Sequence, residues 1–389
     1  MAHGLTITES ASGVRTIARS SLAVIGLIAT STAIAPEVQG TIDAAFPLNT
    51  PVLVTSVDAA AGKAGSGGTL KRALEAIGDE SSPLVIVVRV AEGEDQAATD
   101  ANVIGATDGN AYTGLQALLA AETVVGLRPR IIGAPGLDTQ EVVAEMAITA
   151  RKLRAMVYAS AIGDDVAEVV TYRDEFAARE LMLLWPDSSA TFAGDIVART
   201  LGLRARIDEE QGWHKTVSNV PFFGVTGVTK NVHFDVLDND TDAGVLNDAQ
   251  VTTIIRNGSG YRLWGNRTTA GEDQPEFSFE SAVRTSHALQ DVIASAVQPF
   301  LDQPMTVARV KDLMETVNAE FRRLVAEGKI MGAEIFFDAD ANPAEQLAAG
   351  RPNFRIQYTP VAPMENPQVS LVITDFYYSG FADQIANAT

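Results

Sequence analysis

With 389 residues, 46% of them hydrophobic, and a mean hydropathy of +0.09, the chain is long and apolar enough for two or three packed domains and too polar for a membrane bundle. Its 49 acidic against 29 basic side chains leave a formal charge of −20, which repels phosphate backbones and anionic lipid over a Debye length of roughly 8 Å and argues against direct nucleic-acid binding and stable membrane insertion. The absence of cysteine excludes a disulfide framework and any thiolate metal site, so packing and assembly must carry the stability.

Residues 1–20 are expected to form a thin extended N-terminal arm. Apolar and polar residues alternate in Leu5-Thr6-Ile7-Thr8 and in Val14-Arg15-Thr16-Ile17, with Ser10 and Gly13 between them. The next run, LAVIGLIATSTAIA, follows Arg15 and Arg19 and imitates a secretory signal. Glu9 and the length of the preceding segment argue against that reading, β-branched Val24, Ile25 and Ile28 suit a buried strand, and the run falls short of the roughly 20 apolar residues a membrane span needs.

Residues 21–260 read as an outer α/β domain. Apolar strands in PVLVTS, PLVIVVRV, RPRIIGAPG, RAMVYASA and ELMLLWP alternate with helical segments such as TQEVVAEMAITARKL, VAEVVTYRDEFAAR and AGDIVARTLGLRARI. Strands without polar alternation, separated by amphipathic helices, predict a mostly parallel βαβ sheet covered on both faces. Beyond about residue 207 the periodicity fades into Gly-rich and Asx-rich stretches, GVTGV, LDNDTDAGVLND and RNGSG, expected to be loops and short hairpins.

A smaller α+β C-terminal domain is expected over residues 261–366, from helices in SAVRTSHALQDVIASAVQPFL and TVARVKDLMETVNAEFRRLVAEG and strands in GAEIFFDAD and NFRIQYTPV. In the second helix Val310, Met314, Val317, Phe321 and Leu324 form an apolar stripe. Residues 367–389 form a C-terminal arm, in which Val369, Leu371 and Ile373 alternate with Ser370, Val372 and Thr374 ahead of Phe376. This strand follows Pro360, Pro363 and Pro367, which makes it hard to place inside its own domain, and an exposed apolar edge needs an acceptor.

Motifs with possible chemistry are few. The cluster GKAGSGGTL at 62–70 precedes a helix but matches neither phosphate-binding fingerprint, and reads as a helix-initiating turn. Asp138, Asp164, Asp165 and Asp187 follow strand ends, where open α/β sheets bind ligands. They support an alternative reading as a soluble enzyme or nucleotide-binding protein, but each also precedes a helix whose free N–H groups need acceptors. Asp238, Asp240 and Asp242 have calcium-loop spacing, yet Ala249 stands where the loop requires a bidentate glutamate. His3, His214, His233 and His287 fall in no metalloprotease or triad pattern. No metal, cofactor or catalytic residue is assigned.

Two ordered stretches carry a resemblance. EEQGWHKTVSNVPFFGVTGV at 209–228 and LNDAQVTTIIRNGSGYRLWGNRTT at 246–269, with its box Trp264-Gly265-Asn266-Arg267-Thr268, resemble the sheath proteins of contractile phage tails, especially those of temperate myophages, and are related to R-type pyocin sheaths. The helix pair and EIFFDAD follow in the same order, so the resemblance spans essentially the whole chain.

It implies a structural subunit, not an enzyme, without cofactor, which forms stacked hexameric rings around a tail tube and exchanges terminal strands with its neighbours. The strands implied are those around Leu5, Ile7, Val14 and Ile17 and around Val369, Leu371, Ile373 and Phe376. The implied partners are other copies of the chain, the tube protein, and baseplate and tail terminator proteins, in a virion tail assembled in the host cytoplasm. The resemblance also implies a tube-facing helix in the C-terminal domain; on the 306–327 candidate, Asp312, Glu315, Arg322 and Arg323 lie opposite the apolar stripe.

Overall fold

The computed structural model describes residues 22–258 and 260–387. The N-terminal arm positions Leu5, Ile7, Val14 and Ile17 lie outside the described residues.

The apolar run after Arg19 is the central strand of the molecule. Strand β1 (Ile25–Thr30) is buried along its whole length, with β3 (Val85–Val90) on one side and β6 (Ile131–Gly133) on the other, both parallel to it. Beyond β3 lies the antiparallel edge strand β2 (Val52–Val54). A two-residue hairpin, β4 (Thr107–Asp108) with β5 (Ala111–Tyr112), stands apart from this sheet.

Past β6 the sheet continues through β7 (Met156–Ser160), β8 (Leu181–Leu184) and β9 (Val251–Asn257), all in parallel, to the antiparallel β10 (Gly260–Trp264). The eight-stranded order is β10-β9-β8-β7-β6-β1-β3-β2, a mostly parallel sheet with an antiparallel strand at each edge.

Period-two burial divides each strand between two cores. Ile25, Leu27, Val85, Val87, Met156, Tyr158, Met182 and Leu184 face the helices Leu70–Glu80 and Asp195–Glu210. Val24, Ile28, Ile86, Val88, Val157, Leu181 and Leu183 face the opposite layer, which includes the helix Gln140–Leu153 and Tyr172 of the helix Val166–Arg173. Both faces are covered, which is why these strands carry no polar alternation.

The stretch expected to hold loops and short hairpins is irregular over 211–241 and then supplies β9, which pairs with β10 and also docks parallel to β8 through Leu183 opposite Val251 and Leu184 opposite Thr252. β9 and β10 pair in antiparallel register from Asn257 opposite Gly260 to Thr253 opposite Trp264, so the large sheet runs through Trp264, past residue 260. A strand reached through so long an aperiodic connection leaves no βα alternation to read.

The smaller α+β part is built from the helices Glu280–Val297 and Val307–Ala326 and the antiparallel pair β11 (Ile330–Phe337) and β12 (Phe354–Pro360). Leu313, Val317, Phe321 and Leu324 pack with Leu289, Ala296, Ile330 and Ile335. Val310 and Met314 of the expected stripe are half-buried, and Leu313 takes the inner position.

The glycine cluster at 62–70 does initiate the helix Leu70–Glu80, but it is also a docking surface for the end of β1. Thr32 and Gly67 exchange two backbone hydrogen bonds of 3.0 Å, the Thr69 N–H donates to Thr30 O at 3.0 Å, and the Gly65 N–H donates to Ser31 Oγ at 3.0 Å. A Cβ on Gly65 would stand 2.2 Å from Thr32 O, and Gly68 has φ +80° with Thr30 O 2.6 Å from where its Cβ would be. No side chain fits either position.

Glu80 ends the helix Leu70–Glu80 in near-complete burial. Burial raises its pKa to about 7, against the opposing effect of the Phe223 N–H, 2.7 Å away, and of Arg206, 2.9 Å away. The folded chain therefore holds this proton more tightly than the unfolded chain, whose glutamate titrates near the ordinary value of about 4.3. The resulting contribution to stability is complete below the unfolded pKa and lost as the pH rises through about 7. Urea unfolding of wild type and Glu80→Gln at pH 5 and pH 8 checks this: wild type should lose stability relative to the variant over that interval, and parallel profiles refute the assignment.

Candidate assembly interface

A buried ionic network joins the large sheet to the smaller domain. Arg204 and Asp208, one turn apart on the helix Asp195–Glu210, meet Glu280 and Arg284, one turn apart on the helix Glu280–Val297. Arg204 lies 2.9 Å from Asp208 and 3.2 Å from Glu280, and Arg284 pairs with Asp208. Tyr158 on β7 donates its hydroxyl to Glu280 Oε1 at 2.7 Å.

All four charged side chains are at most 2% exposed. Burial alone would lower the Arg204 pKa, but Asp208 and Glu280 raise it above the ordinary arginine value. Burial and then Glu280 push the Tyr158 phenol well up, keeping it a proton donor. Nothing in the sequence analysis selected these residues. The i,i+4 spacings Arg204/Asp208 and Glu280/Arg284 are legible as pairs, but such pairs normally mark solvated faces.

The Trp264–Thr268 box is the seam beside this network. Gly265 has φ +136°, with Thr252 Oγ1 2.7 Å from where a Cβ would stand, so only glycine turns the chain off β10 there. Trp264 stacks edge-on against Phe234 at 4.9 Å. Asn266 O accepts from the Glu280 N–H at 3.0 Å; Thr268 donates its N–H to Ser278 O and its hydroxyl to Phe277 O, both at 2.8 Å. Thr269 reaches back to Leu181 O on β8 at 2.9 Å.

Arg267, within the same box, is held by Phe279, Ser278 and Glu365. Its guanidinium lies 4.2 Å from the Phe279 ring, donates to Ser278 Oγ at 2.6 Å, and meets both carboxylate oxygens of Glu365 at 2.9 and 2.5 Å.

In the smaller domain β11 and β12 pair only with each other, so among the described residues each keeps an unpaired outer edge. Segment 368–377 is not a strand within its own chain: Phe376–Tyr378 form a short 3-10 turn and Phe381–Ala386 a short helix. Val369, Leu371, Ile373 and Phe376 are 80%, 94%, 101% and 68% exposed. Of the helix-face positions, Asp312, Glu315 and Arg322 are exposed, with Arg322 2.5 Å from Glu315. Arg323 is instead half-buried between Glu320 and Glu327, whose hydrogen bonds raise its pKa.

Of the strand-end carboxylates, Asp138 and Asp187 border a cleft of 320 Å³; Asp138, Asp165 and Asp187 accept from backbone N–H groups, whereas the exposed Asp164 pairs with Lys230 at 3.0 Å. Asp165 caps the helix Val166–Arg173 by accepting from the Glu168 N–H at 3.0 Å, while the Glu168 side chain accepts from the Asp164 N–H, one residue before the cap, at 2.8 Å. Asp187 accepts from Ser188, Gly194 and Ile196 at 2.7, 2.5 and 3.0 Å, tying down the start of the helix Asp195–Glu210. Asp138 differs from the capping expectation: its carboxylate accepts from the Ser160 N–H at 2.6 Å and so fastens the end of β7, not a helix.

Asp238 and Asp242 likewise accept from the backbone of their own loop, at Asp240 and His233. Among the described residues no group of three or more His, Asp or Glu is placed to hold a metal ion, and no helix is long and apolar enough to cross a membrane.

Three family descriptions match in succession: the tail sheath protein Gp18 domain III N-terminal region over residues 38–90, the phage tail sheath protein central domain over 110–269, and the phage tail sheath C-terminal domain over 272–374. The tail sheath protein of Escherichia phage P2 is 44% identical, with 98% of each chain covered, and the major tail sheath protein of Serratia phage KSP20 is 43% identical, with 97% of this chain and 96% of the relative covered. The helical sheath of the anti-feeding prophage, solved in a contracted state, has the same fold, with a TM-score of 0.69 at 17% identity over 96% of this chain and 98% of that one.

The chain belongs to the phage tail sheath protein family. It is a virion structural protein, a sheath subunit of a contractile tail.

The network generates a test. Glu280→Gln removes one charge from a set that water does not reach, and breaking a buried pair typically costs about 3–5 kcal/mol. Tyr158→Phe removes one hydrogen bond and should cost about 1–3 kcal/mol. Urea unfolding measures both; a Glu280→Gln chain as stable as wild type contradicts a structural role for the network.

Proposed function

We propose that the chain polymerises as stacked hexameric rings around a tail tube, in a metastable extended state that contracts and drives the tube through a target cell envelope. The observation that carries this reading is a mismatch within one subunit. Among the described residues it has two unpaired strand edges at β11 and β12, and a largely exposed apolar C-terminal segment. Each is a liability alone, and each supplies what the other lacks when two copies meet. The N-terminal arm around Leu5, Ile7, Val14 and Ile17 is the proposed second donor.

The solved anti-feeding prophage sheath, described as helical and contracted, supports carrying assembly and contraction over to this chain. The proposed partners are further copies, the tube protein, and baseplate and tail terminator proteins, in a virion tail assembled in the host cytoplasm. An enzymatic reading is less well supported, because Asp138 and Asp187, the strand-end carboxylates that border the cleft, are engaged with backbone N–H groups.

For the tube contact, the exposed face of the helix Val307–Ala326 narrows to Asp312, Glu315 and Arg322, since Arg323 is held by two glutamates. Arg322→Glu should reduce loading onto tubes while free sheath polymers still form. One exposed pair is worth only about 0.2–1 kcal/mol, but repetition around a ring multiplies it. Normal tail yield by electron microscopy would show that another face meets the tube.

Deleting residues 368–389 tests the exchanged strand itself. A buried Val, Leu, Ile or Phe contributes about 1.5–3 kcal/mol, so removing residues that pack at home would unfold a marginally stable domain. These side chains are exposed at home, so the truncated monomer should melt near the wild-type temperature and form no sheath at any concentration. A peptide of residues 368–381 should bind it by adding a strand. Circular dichroism and negative-stain microscopy read the outcome; normal polymers from the truncated chain would falsify strand exchange.

A further inference from the structure

We propose that Arg267 and Glu365 form a clamp that fixes where the C-terminal arm leaves the subunit and so keeps the arm from closing on its own β12 edge. This inference rests on the strand-exchange reading above and adds to it the residues that choose between self and neighbour.

Self-capture is within geometric reach. β12 ends at Pro360 and the arm's alternating segment begins at Val369. A β-hairpin loop needs only about two to five residues, and the linker between these points is longer than that, at up to about 3.3–3.6 Å per residue. An arm folding straight back would lie antiparallel to β12 and fill the edge that a neighbour's strand is meant to occupy. Pro363 and Pro367 discourage a tight return but do not forbid it.

The clamp sits inside this linker. Its fixed half is rigid: the backbone beside Arg267 is pinned by the two Thr268 bonds to Ser278 and Phe277, and the guanidinium is stacked on Phe279 and bonded to Ser278. That leaves Nε and Nη2 presented as a fork, which Glu365 meets with both oxygens. A bidentate guanidinium–carboxylate pair sets direction as well as contact.

Between Glu365 and Ile385, Glu365 is the residue tied to the body of the subunit. From Asn366 to Ile385 the hydrogen bonds, such as Phe376 N–H to Thr374 Oγ1 and Gln384 N–H to Gly380 O, stay within the segment. The pair therefore marks the point at which the arm leaves the body. Among the described residues Glu365 makes no other side-chain hydrogen bond or ion pair, whereas Arg267 also packs on Phe279 and Ser278. Substitution at Glu365 thus isolates the clamp from the packing around it.

The test uses the full-length chain with Glu365→Ala, Arg267→Met and the double variant. Because the protein has no cysteine, nitroxides can be placed at L371C on the arm and R355C on β12 for distance measurement in the monomer. Glu365→Ala should melt like wild type, gain a population of short arm-to-β12 distances, and elongate sheath about two- to five-fold more slowly, the scale of one partly exposed ion pair. Arg267→Met should add no further loss in the Glu365→Ala background, and the difference from wild type should shrink as salt screens the pair.

Unchanged distances and a wild-type elongation rate in Glu365→Ala, with the 368–389 deletion still unable to polymerise, overturn the clamp alone. A loss seen with Arg267→Met but not with Glu365→Ala also overturns it, placing the role of Arg267 in its packing on Phe279. Normal polymers from the deletion chain overturn strand exchange and the clamp together.

Discussion

The arrangement of the two domains depends on the four buried charges Arg204, Asp208, Glu280 and Arg284. The helix Glu280–Val297 belongs to both domains: residues 280–289 are buried in the chain, Val283 joins the core of the large sheet, and Leu289 and Ala296 join that of the smaller domain. An apolar contact between two helices tolerates sliding by a ridge, because one aliphatic groove resembles the next. Two ion pairs crossed between helices do not, since displacement by a single turn would leave like charges facing each other in a dry interior. With Tyr158 donating to the same glutamate, the sheet, the helix Asp195–Glu210 and the shared helix are held in one register.

That register has consequences farther out. The Trp264–Thr268 box leads from β10 into the shared helix, so the geometry that orients the helix also orients Arg267. Arg267 in turn meets Glu365, beyond the end of β12. A single mechanical path therefore runs from the middle of the large sheet, through the buried ions and the box, to the root of the C-terminal arm. Under the proposed reading, the domain built on the large sheet and the strands that would bind neighbours are not independent bodies.

How much of this is legible in sequence depends on whether the physical signal is local. Strands β1, β3, β7 and β8 are readable because burial on both faces writes itself as unbroken apolar runs, and the helix Val307–Ala326 because one buried face writes itself as a stripe. β9 is harder: its own residues suit a strand, but its place beside β8 comes through the aperiodic 211–241 connection. The buried ions are harder still, because Arg204 and Glu280 are far apart in the chain and a buried charge looks like a surface one until its partner is known. The glycines at 65–68 show the opposite case. Their initiation of a helix is readable locally, but their role as a seat for the end of β1 is not, since the group that requires glycine is the backbone of Thr30–Thr32.

The same glycines bear on where the work of contraction comes from under the proposed reading. A phosphate cradle needs free N–H groups at a helix start. Here the Gly65, Gly67 and Thr69 N–H groups already donate to Ser31, Thr32 and Thr30, and a Cβ-sized object does not fit between the two segments. The start of the helix Asp195–Glu210 is likewise occupied by Asp187. These two helix starts are closed by the protein's own atoms, which under the proposed reading favours energy stored during assembly over energy taken from a nucleotide bound there. Storage of that kind requires a lattice held by a barrier and not by depth alone. Under that reading subunits stay attached while their contacts rearrange, and the proposed exchanged strand meets that need because its main-chain hydrogen bonds can persist while the linker beyond Glu365 turns.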